Sequence, residues 1–315
     1  MNKKAKILKV GDSMKYTGTT YRPPFEVNSL LLQVTAGCSH NNCMFCTMYK
    51  DVPFEVESME QIEADLREAR GRRKIIKKVF LENGDPFVLS ADKLKQIAEK
   101  IKEIIPEVEN ISMFATIKNI IDKTDDELKE LRKLKINNLN VGIESGLEEA
   151  VEFMNKGYTV EVAKRELKRL ENAGMDYSIN IITGCGGSDK SRENAKKTAE
   201  LVNELNPKIV FVGSIHADEG SKLEKLKATG KFNENTLREN IEEEKLFLEC
   251  LDKRDIEFFG LHPSNAIRVH GILSKDKEEM IEELEEGLRE IPDKFLDRRS
   301  RRGAEGSVED FLGID

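Results

Sequence analysis

The sequence lacks any apolar run approaching the ~18 residues of a membrane-spanning helix. Residues 1–12 are basic but carry no apolar core of the kind a secretory signal needs. These two absences lead to the expectation of a cytoplasmic protein with no membrane partner. Cysteine is also scarce, with five in 315 residues. The number is odd and three of the five fall within nine residues, which excludes a disulfide framework and points to metal. Positive charge is in deficit: 51 Lys+Arg stand against 59 Asp+Glu, for a net charge of -8. Nucleic acid is therefore not expected as a partner, since phosphate binding needs a basic surface. No internal repeat and no long low-complexity stretch is found.

What is present is a chain long enough for a large core, with 38% apolar and 35% charged residues. Short apolar segments predict strands over 30–35, 78–81, 111–115, 138–142, 177–182 and 209–213. Amphipathic stretches predict helices over 58–70, 90–104, 124–134, 160–172 and 191–205. Ser58 with Gln61, and Thr124 with Glu127, have the spacing of capping boxes. Gly174 and Pro207 supply stops. Strands alternating with helices imply a parallel sheet with right-handed crossovers. Six such units fall short of the eight of a closed barrel. The expected fold class is therefore α/β, a partial (β/α)6 TIM-like barrel with a C-terminal α/β extension. The expected divisions are an N-terminal extension over 1–29, the barrel over 30–230, a capping extension over 231–296 and a basic, flexible tail over 297–315. The extension carries helical patterns at 235–251 and 275–290 and a strand pattern at 257–261, and the tail carries Arg298-Arg299-Ser300-Arg301-Arg302.

The strongest chemical signal is Cys38-Ser39-His40-Asn41-Asn42-Cys43-Met44-Phe45-Cys46, directly after the first predicted strand. Thiolates are soft ligands that suit iron–sulfur clusters and zinc. Three of them can hold three corners of a cubane and leave one iron open. A structural zinc site closes with four ligands, and here the fourth would have to be His40 from the same loop or a distant cysteine.

The chain resembles the radical SAM superfamily in several motifs, each at the C-terminal end of a predicted strand. The three-cysteine loop with Phe45 before its last cysteine comes first, although its first gap holds four residues against the family's usual three. Glu82-Asn83-Gly84-Asp85-Pro86 follows the second strand. Then come Val141-Gly142-Ile143-Glu144-Ser145-Gly146 with Met154-Asn155-Lys156-Gly157-Tyr158-Thr159, and Ile182-Thr183-Gly184-Cys185-Gly186-Gly187. The style of these motifs is closest to the branch of Fe–S oxidoreductases akin to oxygen-independent coproporphyrinogen oxidases.

The resemblance implies one [4Fe-4S] cluster on Cys38, Cys43 and Cys46, with S-adenosylmethionine (SAM) at the open iron. It implies that Phe45, Asn83, Gly84, Asp85 and Glu144 contact the cofactor. Lys118 and Arg192 are candidates to pair with a carboxylate of SAM or substrate. Cys185, in a glycine loop at the expected rim, is a candidate catalytic hydrogen donor, whereas Cys250 lies in a helical pattern and reads as core. His216 and His262 are candidate substrate contacts.

Only two further cysteines remain, both isolated, so an auxiliary cluster is not expected. The 29 residues before the first strand are too few for a cobalamin domain. The expected activity is anaerobic, oxidoreductase-like: reductive cleavage of SAM to a 5′-deoxyadenosyl radical that abstracts hydrogen from a small organic molecule. The electron donor would be of the flavodoxin or ferredoxin type. Two alternatives stand beside it, a radical SAM transferase acting on tRNA or protein and a non-enzymatic zinc-binding adaptor.

Overall fold

The structure is a computed structural model that describes residues 14–299. Its centre is an eight-stranded sheet. In chain order its strands are β1 (Leu30–Gln33), β4 (Lys78–Glu82), β5 (Asn110–Ala115), β6 (Ile136–Glu144), β7 (Tyr177–Thr183), β8 (Ile209–Ser214), β9 (Glu257–Phe259) and β10 (His270–Ile272). Spatial order follows chain order, so every crossover joins neighbours. The pairings from β1 to β9 are parallel, and β10 closes the far edge antiparallel to β9. β2 (Thr35–Ala36) and β3 (Glu55–Val56) form a small antiparallel ribbon that brackets the cysteine loop.

The helices are α1 (Met59–Arg72), α2 (Ala91–Ile104), α3 (Ile117–Ile121), α4 (Asp125–Lys133), α5 (Glu148–Phe153), α6 (Val160–Asn172), α7 (Ser191–Asn203), α8 (Lys222–Ala228), α9 (Leu237–Cys250), α10 (Lys277–Glu290) and α11 (Asp293–Leu296). Neighbours in the outer layer pack in pairs, α1 with α2, α2 with α4, α3 with α6 and α7 with α9. Their starts follow the side chains foreseen. Thr124 and Glu127 complete a capping box, but at Ser58 only half of one forms. Ser58 accepts the Gln61 N–H, whereas the Gln61 side chain turns instead to Asp65 at 2.9 Å.

Alternation along each strand sends one set of side chains to the helices and the other to the concave face. Val79, Leu81, Ile179 and Val210 join the large apolar core under the helices. Phe114, Asn180, Ile182 and Phe211 point the other way and keep partial exposure, so the concave face is open at its centre. The N-terminal segment lies along this face. The Tyr16 hydroxyl donates to the Leu31 carbonyl at 2.9 Å, and the Phe25 ring meets Phe211 and Phe259 edge-on, at 6.1 and 5.7 Å. It thereby links the first strand to the last ones, which do not pair with each other.

Two expectations change. The section beginning at residue 231 extends the sheet and its helical layer as well as reaching the rim. Its β9 continues the parallel sheet and α9 lies on α7, because Phe247 and Phe258 extend the same core. Its first residues, Phe232, Asn233 and Asn235, lie against Gly184 and Gly187 at the rim, and the loop around His262 reaches Gly213. The segment expected as a flexible tail is anchored where it begins. The Arg298 carbonyl accepts the Leu237 N–H at 2.8 Å, and the Arg299 side chain donates to the Glu234 carbonyl at 3.2 Å. The rest of that segment, 300–315, including Arg301 and Arg302, lies outside the described residues.

Candidate active site

Cys38, Cys43 and Cys46 are all half-buried, in the loop that leaves the C-terminal end of β1 through β2. The loop is held from two sides. On one side the Asp85 carboxylate accepts the Ser39 N–H at 2.8 Å and the Ser39 hydroxyl at 2.5 Å, and the Gly84 N–H donates to the Gly37 carbonyl at 3.0 Å. Gly84 is required by space: a Cβ there would lie 2.6 Å from the Cys38 Cβ. On the other side the segment after α5 is stitched to the loop. The Met44 N–H donates to the Met154 carbonyl at 3.1 Å, a His40 ring nitrogen lies 2.9 Å from the Asn155 carbonyl, and the Asn155 amide donates to the Asn42 carbonyl at 2.9 Å.

That stitching delivers Lys156. Its ammonium lies 2.7 Å from a Glu144 carboxylate oxygen, and both side chains are nearly buried, at 8% and 9% exposure. Glu144 ends β6 with a φ of 62°, and Gly142 leaves the space it turns into, because a Cβ there would sit 2.4 Å from Glu144 Oε1. Tyr158 braces the turn by donating to the Gly142 carbonyl at 3.0 Å. Lys156 also stands 6.0 Å from the centre of the Phe45 ring. Burial opposes its charge, yet Glu144, Tyr158 and Cys43 outweigh burial and hold its pKa well above the ordinary lysine value. Lys156 is the site residue that inspection of single motifs passed over. Its signal was its place in the segment quoted with Glu144, twelve residues further on.

The three thiols are not equivalent. Burial, with the Asp85 charge, pushes Cys38 up to about 12. Burial raises Cys46 as well. At Cys43 burial is overcome by the Lys156 charge and a hydrogen bond from His40, so its thiol falls below the ordinary value. Among the described residues no three His, Cys, Asp or Glu side chains are drawn together closely enough to hold a single metal ion. Around one zinc the sulfurs would all lie about 2.3 Å from a common point. The donor set of three thiols on one loop fits three corners of a cubane, and His40 beside them is engaged with the Asn155 carbonyl and Cys43.

Asn83 is buried, and its amide nitrogen lies 3.4 Å from the Thr35 carbonyl, while its oxygen has no hydrogen bond. Asp85 is occupied by the cysteine loop, which makes it a positioning group. Cys185 is 1% exposed and packs with Leu147, Met154 and Ile215, and the partly buried Phe45 lies against the same cluster. Burial keeps the proton on its sulfur. The glycine loop around it is fixed by Glu243 of α9. That carboxylate accepts from the Gly184 N–H at 3.0 Å, the Ser191 hydroxyl at 2.5 Å and the Asn194 amide at 2.6 Å.

Two expected residues are not brought to the site. Lys118 is exposed on α3. Arg192 lies on the outer face of α7, in a shallow groove with Lys196 and Glu200. Both follow strand ends in sequence, but helical phase turns them to solvent. His262 does reach the rim. Its ring covers Gly213 at the end of β8, and its Nδ1 accepts the Ser264 N–H at 3.1 Å. Burial, with the charges of His216 and Arg268, lowers its pKa to about 4.

The sequence pattern of the Radical SAM superfamily matches residues 32–199, which holds the cysteine loop, Gly84, Glu144 and Cys185. Among curated proteins the chain is similar to the heme chaperone HemW of Bacillus subtilis (strain 168), at 24% identity over 126 residues, covering 39% of this chain and 33% of that one. It is similar to HemW of Escherichia coli (strain K12) at 24% identity over 151 residues, covering 47% and 38%. The matches span between a third and two fifths of those relatives. Among solved structures, methylornithine synthase superposes with a TM-score of 0.53 at 16% identity, covering 81% of this chain and 68% of that one, a likeness of fold.

Proposed function

Because the chain belongs to the radical SAM superfamily, whose members are enzymes that use a [4Fe-4S] cluster and SAM, we propose that it cleaves SAM reductively and directs the resulting radical at a small organic molecule held in the concave face of the sheet. The observation that carries this reading is the set of three thiols presented by one loop at the C-terminal mouth of a parallel sheet, with Glu144 and Lys156 beside it. When bound, the cluster and SAM supply a one-electron break of a carbon–sulfur bond and with it a 5′-deoxyadenosyl radical. The protein's part is binding, orientation and exclusion of water.

Each task has residues. Cys38, Cys43 and Cys46 would hold the cluster, Asp85 and Gly84 fix their loop, and Asn155 and Met154 clamp it from the opposite side. Glu144, paired with the Lys156 ammonium, is a carboxylate aimed from a barrel strand end, where such folds place their chemistry. Phe45 shields the inner side of the loop, packed on the apolar cluster that contains Cys185. The partly exposed Asn180, Phe114 and Phe211 leave room for a substrate. The electron would come from a flavodoxin- or ferredoxin-type donor.

Anaerobic reconstitution tests the proposal. The wild type should take up close to four irons, turn brown and release 5′-deoxyadenosine when given dithionite and SAM. Alanine at Cys38, Cys43 or Cys46 should abolish all three readouts. A colourless protein carrying one tightly held zinc, or a four-iron protein that forms no 5′-deoxyadenosine, would overturn it.

A further inference from the structure

At the opposite end of the strand order from the cysteine loop, the rim carries a ring whose hydrogen is aimed by the protein. His262 follows β9 in a loop tied to the strand ends. The Asn265 amide donates to the Val212 carbonyl at 3.0 Å and the Gly260 carbonyl at 2.9 Å, and its oxygen accepts the Ser214 hydroxyl at 3.0 Å. The Ser214 N–H donates to the Ser264 hydroxyl oxygen at 2.8 Å. That hydroxyl lies 2.6 Å from His262 Nδ1, which also accepts the Ser264 N–H at 3.1 Å. A backbone N–H can only donate, so Nδ1 carries the lone pair and the ring hydrogen sits on Nε2. Both hydrogen bonds of the ring use Nδ1, and among the described residues Nε2 has no partner. The half-buried ring is thus a fixed donor with its N–H still to be used.

The surroundings say for what. The charges that act on this ring, His216 and Arg268, are both positive, and among the described residues no carboxylate offsets them. Arg268 is exposed and His216 partly so. Beside the ring the wall is apolar. Phe211 meets His262 edge-on at 5.6 Å, and Phe25 and Phe259 pack on Phe211 at 6.1 and 5.7 Å. Phe25 and Phe211 keep partial exposure on the concave face. A donor in a positive field attracts an oxyanion, and a run of aromatic rings beside it takes a flat apolar body. One neutral donor is few for a phosphate dianion, which protein sites surround with several N–H groups. A carboxylate, with a single charge spread over two oxygens, matches the set.

We propose that His262 Nε2 and Arg268 form a subsite for a carboxylate group of the substrate, so that the molecule acted on is an acid whose apolar or aromatic body lies on Phe25 and Phe211. This rests on the function proposed above, since it places the substrate in the same concave face.

The test is binding to the cluster-loaded protein, by equilibrium dialysis with three probes: 3-phenylpropionate, 3-phenylpropionamide and phenyl phosphate. Hydrogen bonds to a charged group translate to roughly tenfold or more in affinity. The wild type should bind the acid at least about tenfold more tightly than the amide, and more tightly than the phosphate ester. His262→Phe keeps a ring against Phe211 and removes the donor. It should bring acid and amide within about threefold of each other, while SAM affinity stays within about twofold of wild type. Arg268→Gln, at an exposed position, should lower the preference by about two- to fivefold. Equal binding of acid and amide by the wild type, phenyl phosphate bound as tightly as the acid, or no binding of any probe overturns the inference, and this comparison needs no variant to fold. An unchanged preference in either variant also overturns it. Loss of SAM affinity in His262→Phe overturns it too, by assigning the ring to the cofactor. Failure to form 5′-deoxyadenosine, with the preference for the acid intact, would sink the proposed function instead.

Discussion

Replacing Lys156 by Met is the most direct probe of how the site is held. The ammonium and the Glu144 carboxylate lie 2.7 Å apart with under a tenth of either side chain exposed. At an effective dielectric of about 20, two charges at that distance attract by roughly 6 kcal/mol. Formation of the pair offsets that gain by several kcal/mol of desolvation for each ion, so its net worth is small. The variant is a different case, because the attraction goes while the carboxylate stays buried with one oxygen unanswered. The expected cost is about 3–5 kcal/mol. Against a typical stability of about 5–15 kcal/mol that is a large fraction. Urea unfolding followed by far-UV circular dichroism should show it, as should a melting temperature lowered by roughly 5–8 °C. Glu144→Gln combined with Lys156→Met should recover much of the loss, since both charges are then gone. A Lys156→Met cost under about 1 kcal/mol, or strictly additive single effects, would show that the pair is solvated and uncoupled.

Two further outcomes follow from the geometry. Gly84→Ala should lower cluster content in anaerobic reconstitution, because the new methyl would meet the Cys38 Cβ at 2.6 Å; Gly71→Ala, with nothing within 4 Å, should leave cluster content unchanged and stabilise α1 by about 0.5–1 kcal/mol. Equal iron content in the two variants would refute the close approach. His262 has a folded pKa near 4, below the 6.5 of the free side chain, so the unfolded chain binds the proton first as pH falls. Its contribution is complete above pH 6.5 and is lost as pH drops through 4, and wild type should lose more stability between pH 7 and 4.5 than His262→Asn. Parallel pH profiles would place the ring in solvent.

Much of this was legible in the order of residues. The six strands expected from apolar runs are all present, and their order in the sheet is the order of the chain. The capping box at Thr124 forms as read, Ser58 caps α1 with its hydroxyl alone, and Gly174 ends α6 with a φ of 70°. β6 is longer than its pattern suggested, because Asn138 takes a φ of 55° and shifts the pairing with β5, which hides the alternation. The short helices α3, α5 and α8 were missed, since five to seven residues show too little periodicity. The site was half legible. The cysteines, Gly84 and Glu144 named from the sequence lie around one loop, Lys118 and Arg192 stand in solvent, and Lys156 was given no role.

The sequence by itself determined the ligand chemistry of the loop, the α/β alternation and the helix boundaries. Each of these depends on residue type and on spacings of a few residues. Tertiary structure alone decided that Asp85 serves the cysteine loop and that Lys156 neutralises Glu144. Those facts depend on which strand ends become neighbours. The contact of His40 with Asn155 joins residues 115 apart, and no local pattern encodes a distance closed only when the whole sheet has curled.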